Sequence, residues 1–106
     1  MTDMPLPPKP YRDFVERHPE VAEAYEHLGA AVREAGPLTP REIALVKLAI
    51  SVGARMEGAT HAHARKAKAA GIEREAIEQV PLLACPTVGF PNMMAALSWV
   101  RDELAK

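Results

Sequence analysis

The segment from residue 39 to residue 56 constrains the fold more than any other part of the chain. Thr39 can cap a helix, Pro40 suits its first turn, and Glu42 stands three residues after the cap, as a capping box requires. The helix that follows, REIALVKLAISVGARM, has apolar residues on nearly every side. Such a helix needs burial all round. Because a small domain supplies few neighbours, we predict that this helix lies at a subunit interface.

The composition and the patterning of the other segments also favour helices. Hydrophobic residues make up 48% of the 106 residues but aromatic residues only 5%, so the core must consist of small aliphatic side chains. Pro19 suits the first turn of a helix with the sequence PEVAEAYEHLGAAVREAG, whose apolar residues share one face and which Gly36 ends. No segment alternates with the period of two that a strand requires. The sequence therefore predicts an all-α fold.

The N-terminal region is rich in proline. Residues 4–10, MPLPPKP, are expected to form an extended, polyproline-like arm, because proline fixes φ and removes backbone donors. A short helical turn is expected over residues 11–17. We therefore divide the chain into a proline-rich arm with a short helix, residues 1–18, and one helical domain, residues 19–106.

Glycines and prolines also divide the second half of the chain. Gly58 is expected to bend the backbone before an alanine-rich helix over residues 59–70. A further helix over residues 73–85 contains Pro81, which lacks a backbone donor and is expected to kink or end it. The following CPTVGFPN, residues 85–92, is expected to be a loop that leads into the last helix.

Charge and apolar patterning argue against nucleic-acid and membrane partners. Thirteen Lys and Arg stand against fourteen Asp and Glu, and no basic block with interleaved aromatic residues occurs. Apolar runs such as IALV are far too short for a membrane span. The N-terminal segment does not read as a secretion signal, and the single Cys85 cannot form an internal disulfide. We therefore expect a cytoplasmic protein without a cofactor.

Two histidines lie in the alanine-rich segment THAHARKAKAAG. On a helix His61 and His63 point about 200° apart, so they cannot both bind one buried metal ion. Glu57 and His61 share a face and, with a symmetry mate, could hold Zn²⁺ or Ni²⁺ at an oligomer axis. His63 is either a core histidine or the general acid or base of a small pocket.

The most specific pattern in the chain is the order of four segments, namely a capped apolar helix, THAHARKAKAAG, EREAIEQV and GFPNMMAAL. It resembles the carboxymuconolactone decarboxylase and AhpD-like alkylhydroperoxidase superfamily over about residues 38–99. The resemblance implies an AhpD-like helical bundle that assembles as a homotrimer or homohexamer. It also implies a site between helices near a subunit boundary.

The same resemblance assigns positions within the site. Counting back eight residues from Gly71 places the family histidine at His63. The two cysteine positions of the peroxidase branch then fall on Met56 and Ala59, and the glutamate position falls on Ala44. Disulfide-based peroxide reduction needs a thiolate and a resolving thiol, which these residues cannot supply. We therefore expect no cysteine-dependent peroxidase activity.

A shifted alignment places other residues in the site. If Glu42 takes the family glutamate position, His61 falls on the histidine and Glu57 on the second cysteine. This alignment recovers three polar residues but breaks the spacing to Gly71. Because Glu42 is also explained as a capping residue, His63 is the preferred family histidine.

Three functional hypotheses follow. The first is acid or base chemistry on a small organic acid or lactone at His63. Glu57 and His61 are further catalytic candidates. Arg55 or Arg65 could bind a carboxylate of the substrate. The small-molecule pocket would be lined by Met56, Ala59, Thr60, Phe90 and Met94. The second hypothesis is a non-catalytic ligand-binding or assembly module of the same fold. The third is a metal site that uses Glu57 and His61.

Overall fold

The computed structural model describes residues 7–106, and within this range all regular structure is helical. The predicted all-α class is confirmed for these residues. The helices are α1 (Lys9–Arg17), α2 (Pro19–Arg33), α3 (Pro40–Gly53), α4 (Glu57–Ala69), α5 (Arg74–Val88) and α6 (Phe90–Leu104). They fall into two compact units, one ending at Thr39 and the other running from Pro40 to Lys106.

The first unit consists of α1 and α2. Residues 4–6 of the predicted N-terminal arm lie outside the described residues, residues 7 and 8 are not helical, and residues 9 and 10 belong to α1. Pro10 is tolerated there because the first turn of a helix has no intrahelical partner for its backbone N–H. Helix α2 begins at Pro19 as predicted but ends at Arg33, three residues before Gly36. Ala22 is the buried residue of α2.

The second unit is built on small aliphatic side chains, as its composition predicts. Helix α4 contributes Ala64 and Ala67, both without exposed surface, so neighbouring helices can approach it closely. Large side chains come from the other helices. The core is formed by Leu48, Val52, Ala64, Ala67, Ile77, Ala96, Val100 and Leu104.

The break between α3 and α4 does not lie where the sequence predicts it. Helix α3 ends at Gly53, Arg55 has φ 59°, and α4 begins at Glu57. The backbone N–H of Met56 donates to the carbonyl oxygen of Ser51 at 3.0 Å. Gly58 lies inside the first turn of α4, so the predicted bend at this glycine is wrong. The turn is made by residues 54–56, where no glycine marks it.

The end of α4 agrees with the prediction. Gly71 has φ 84°, which glycine adopts without steric cost. Its backbone N–H donates to the carbonyl oxygen of Lys68 at 3.0 Å, and the N–H of Ile72 donates to the carbonyl oxygen of Ala67 at 3.1 Å. These two bonds form the Schellman pattern that satisfies carbonyl groups at a helix end.

Helix α5 corrects two predictions. It continues through both Pro81 and Pro86 to Val88, and only Gly89 separates it from α6. Of the two outcomes predicted at Pro81, a kink or a helix end, the helix end is therefore wrong, and so is the predicted loop over CPTVGFPN. Ile77 and Pro81 are fully buried, so packing holds the turn whose hydrogen bond the proline removes. At the helix end, Asn92 Nδ2 donates to the carbonyl oxygen of Val88 at 2.7 Å.

Within the chain, α3 is buried on one side only. Leu48, Ser51 and Val52 are buried, whereas Val46 is 44% and Ile50 63% exposed. Burial of the remaining side by another subunit stays a prediction. Among residues 7–106, no helix has the length and apolarity that a membrane span needs.

Candidate functional site

The most distinctive polar contact of the second unit joins α4 to the last turn of α6. His61 Nδ1 lies 2.6 Å from Glu103 Oε2. Glu103 is a carboxylate with only 3% of its surface exposed. On the other side of the ring, His61 Nε2 lies 3.4 Å from Glu57 Oε2, as their spacing on one helix face predicts. The imidazole therefore stands between a buried and an exposed carboxylate.

Two positively charged side chains also face the Glu103 carboxylate. Lys106 Nζ lies 3.2 Å from Oε2, and Arg65 Nη1 lies 3.6 Å from Oε1, too far for a hydrogen bond. Burial raises the pKa of Glu103, but the hydrogen bonds from His61 and Lys106 and the charges of Lys106 and Arg65 outweigh it, so the pKa lies below its usual value of 4.5. Glu103 is therefore an ionised acceptor at neutral pH.

The geometry gives His61 a fixed orientation. An ionised Glu103 can only accept, so Nδ1 carries the proton of the 2.6 Å hydrogen bond. This leaves Nε2 as the nitrogen that can exchange a proton, and it faces the mostly exposed carboxylate of Glu57. A histidine held by a carboxylate in this way is equipped for acid or base chemistry.

The sequence analysis missed Glu103, although a signal for it exists. In α6 the buried apolar residues Met93, Leu97, Val100 and Leu104 follow the helical period. Position 103 lies three residues after Val100 and therefore falls on the buried face. An acidic residue on such a face needs a cationic partner. The partner on α4 cannot be read from sequence spacing because it comes from the tertiary fold.

His63 lies in a different environment from His61. It is half-buried, and burial, followed by the positive charges of Lys47 and Lys66, lowers its pKa below 6.5. At neutral pH the imidazole is therefore uncharged. The two histidines are not brought into one site, in agreement with their spacing on the helix.

The pKa of His63 can be tested directly. We expect the His63 ring signals in NMR spectra to titrate with a midpoint below 6.5. Removing the nearby positive charge in Lys47→Gln should raise the midpoint, whereas Lys47→Arg, which keeps the charge, should leave it low. A midpoint at or above 6.5 in the unaltered chain would contradict the half-buried placement.

The residues predicted to line a pocket around His63 differ widely in exposure. Thr60 is fully buried, and its Oγ1 lies 3.2 Å from Ser51 Oγ, so it holds α4 to α3. Ala59 is partly buried. The most exposed members of the set are Met56, Phe90 and Met94. Their participation in a common ligand pocket stays a prediction.

A separate apolar groove runs between α3 and α5. Its volume is about 460 Å³, and no residue of the predicted pocket lines it. Arg41 contributes a polar group, and its Nη1 lies 2.6 Å from Glu73 Oε1. The apolar lining includes Leu45, Val46, Ala49, Val80, Leu83 and Ala84. We name this feature, with its apolar lining, the α3–α5 groove.

The described residues do not contain a ready-made metal centre. Between residues 7 and 106, no group of three or more His, Cys, Asp or Glu side chains is arranged to hold a metal ion. In the pair proposed from sequence, His61 already uses Nδ1 for Glu103, and Nε2 faces Glu57. A metal at this pair would need further ligands from outside residues 7–106.

The sequence of the chain matches a known protein family, although it matches no individual curated protein or solved structure. No curated protein and no solved structure gives a significant match to the chain. A sequence profile of the carboxymuconolactone decarboxylase family, however, matches residues 19–102, most of the chain. The single cysteine, Cys85, is consistent with a member without the paired cysteines of the peroxidase branch. The chain belongs to the carboxymuconolactone decarboxylase family.

Proposed function

We propose that this family member carries out acid or base chemistry on a small organic acid or lactone, with His61 as the proton-transfer group. The observation that carries the proposal is the 2.6 Å contact between His61 Nδ1 and the almost fully buried Glu103. Glu103 acts as a positioning residue because it reaches the substrate only through the imidazole. Glu57, on the solvent side of the ring, can exchange protons with water.

This assignment replaces His63 by His61 as the preferred catalytic residue. A catalytic histidine needs an acceptor that fixes its tautomer and ring orientation. The buried Glu103 supplies such an acceptor to His61. The pKa of His63 is instead lowered by burial and then by the charges of Lys47 and Lys66, none of which orients the ring.

The chemistry that the family name suggests fits these groups. When a carboxylated lactone loses CO₂, the carbon–carbon bond breaks, its electron pair stays on the lactone, and a proton must be delivered to that carbon. In its protonated, imidazolium form His61 carries a second proton on Nε2, which it can deliver to this carbon and regain through Glu57. Arg65 lies one helical turn beyond His61 and is able to bind a substrate carboxylate.

The proposal can be tested by measuring CO₂ release from carboxymuconolactone. We expect His61→Gln to lower kcat by about 100-fold or more, the range of a lost general acid. Glu103→Gln should lower kcat and move the pH profile of kcat, because it changes the group that orients the ring. His63→Gln and the exposed His27→Gln are the matched controls and should change kcat by less than about threefold.

Two outcomes would contradict the proposal. One is a folded His61→Gln variant with unaltered turnover, and the other is a larger loss in His63→Gln than in His61→Gln. Folding of each variant can be checked from its circular dichroism spectrum at 222 nm.

A non-catalytic ligand-binding or assembly module is the second candidate, and the apolar α3–α5 groove favours it. This candidate predicts no turnover of the lactone and no effect of His61→Gln on function. The metal hypothesis for Glu57 and His61 is tested by elemental analysis of tag-free protein. Metal at one ion or more per three chains would support it, and a lower content would exclude it.

A further inference from the structure

Arg65 is a mostly buried cation beside His61 that has hydrogen-bond donors to spare. It lies one helical turn after His61 on α4, and the two side chains are buried to the same depth, with 21% and 22% of their surface exposed. Among residues 7–106, the Arg65 guanidinium has one ionic neighbour, Glu103, and no hydrogen bond. An arginine carries five N–H donors in a planar fork. These donors are therefore available to a ligand that reaches His61.

The Glu103 carboxylate attracts Arg65 without using these donors. Its Oε2 accepts hydrogen bonds from His61 and Lys106, whereas its Oε1 is buried and has no hydrogen-bond partner in the described part of the chain. A buried carboxylate oxygen without a partner is rare in proteins. Arg65 Nη1 lies 3.6 Å from this oxygen, which is too long for a hydrogen bond but close enough for charge attraction. The negative charge on Oε1 therefore holds the guanidinium near His61 and leaves its N–H groups unused.

The other cations near the last turn of α6 already donate their hydrogen bonds within the fold. Lys106 Nζ donates to Glu103 Oε2 at 3.2 Å. Lys68 Nζ donates to the backbone carbonyl oxygens of Leu104 and Glu103 at 3.3 and 3.5 Å, so it satisfies acceptors at the end of the helix. Within residues 7–106, Arg65 is therefore the cation of this cluster that is equipped to bind an anionic ligand.

The reaction proposed for His61 decides which anion Arg65 can usefully bind. A carboxylate that leaves as CO₂ loses its negative charge in the transition state. An arginine bound to that carboxylate would stabilise the ground state more than the transition state and would slow the reaction. An arginine speeds the reaction only if it binds a different carboxylate, which keeps its charge throughout and positions the lactone.

We propose that Arg65 selects the substrate by binding a carboxylate that the lactone retains. The guanidinium binds this carboxylate through two parallel N–H···O bonds. His61, which lies about 5.4 Å along α4, then faces the carbon that receives the proton. This inference rests on the proposed function. It adds that a lactone whose one carboxylate is the one that leaves is a poor substrate.

Turnover of two related compounds tests the role of Arg65. Carboxymuconolactone is compared with the ester in which its retained carboxylate is methylated. We expect the unaltered chain to prefer the acid by about 30-fold or more in kcat/KM, and Arg65→Gln to abolish this preference, mainly through KM. Arg65→Lys keeps the charge but not the planar fork, so part of the preference should remain. Arg101→Gln, which removes an exposed arginine of α6, is the matched control and should keep all of it.

A merely structural role for Arg65 predicts a different pattern. Loss of the charge beside Glu103 would then disturb His61 whatever the substrate, so Arg65→Gln would lower kcat equally for the acid and the ester. Such an equal loss would overturn the proposal. An undiminished preference for the acid in Arg65→Gln, or loss of the preference in Arg55→Gln instead, would also overturn it.

A binding measurement separates this proposal from the proposed function. The probe is a saturated butyrolactone with one acetate arm, which has no carboxylate to lose, and calorimetry measures its Kd. We expect Arg65→Gln to raise the Kd about 30-fold or more and Arg101→Gln to leave it unchanged. The methyl ester of the probe should bind the unaltered chain and Arg65→Gln equally.

The combined outcomes assign a failure to one proposal or the other. If the probe binds as expected but carboxymuconolactone is not decarboxylated, the carboxylate site at Arg65 is supported and the function proposed for His61 is wrong. If His61→Gln abolishes turnover while Arg65→Gln binds the probe as tightly as the unaltered chain, the Arg65 proposal is wrong. A probe that does not bind the unaltered chain would overturn it as well.

Discussion

Replacing Glu103 by alanine is expected to lower the free energy of unfolding by about 3 kcal/mol at pH 7. The substitution removes the acceptor of His61 Nδ1 and leaves the positive charges of Arg65 and Lys106 without their buried counter-charge. The loss lies at the lower end of the range for a broken buried ion pair because His61 and Arg65 keep about a fifth of their surface in water. Urea denaturation followed by the Trp99 fluorescence measures the effect.

The neighbouring Asp102 provides the matched control. It belongs to the same helical turn but is exposed, so Asp102→Ala should change the free energy of unfolding by no more than about 0.5 kcal/mol. Both variants must be compared at one chain concentration, since any association would contribute to stability. Equal losses in the two variants would show that the Glu103 contacts do not stabilise the fold.

The pH dependence separates the charge of Glu103 from its packing. Its pKa is lower in the folded chain than the value of 4.5 expected when unfolded, so its contribution to stability is complete above pH 4.5. The contribution is lost as the pH falls through the folded pKa. The difference in unfolding free energy between the unaltered chain and Glu103→Gln should therefore shrink below about pH 4.5. A constant difference would assign the effect to packing.

Local signals in the sequence predicted the elements of the fold well. Proline at a first turn marks the starts of α2 and α3. Gly71 marks the end of α4, because the left-handed backbone of a helix end favours glycine. The spacing of Glu57 and His61 correctly placed them side by side. Each of these features is decided within a few residues of the chain.

Features decided by tertiary packing were not predictable in the same way. Pro81 is a strong local stop signal, yet burial of its helical turn overrides the missing hydrogen bond. Gly58 permits a bend without requiring one. The ionic partner of His61 is 42 residues away in sequence, so no local spacing could reveal the pair. The candidate site therefore emerged only when α4 and α6 were brought together.

In helix α3 a local signal, Pro40, marks the start, whereas tertiary packing decides which side of the helix is buried. Its apolar residues surround the helix, so the sequence does not show which of them faces the core of its own chain. Leu48 has no exposed surface, whereas Ile50, two residues on, is 63% exposed. We expect Leu48→Ala to lower the free energy of unfolding by about 3 kcal/mol, because it removes buried methyl groups and leaves a cavity.

Ile50→Ala is the control for Leu48→Ala, since it shortens a similar side chain on the same helix. At low chain concentration, where subunits are dissociated, urea denaturation should give a loss of no more than about 0.5 kcal/mol for Ile50→Ala. If another subunit covers this side of α3, the cost of Ile50→Ala should grow with chain concentration, while that of Leu48→Ala should not. Equal losses at every concentration would mean that both sides of α3 contribute to the core of a single chain, contrary to the structure.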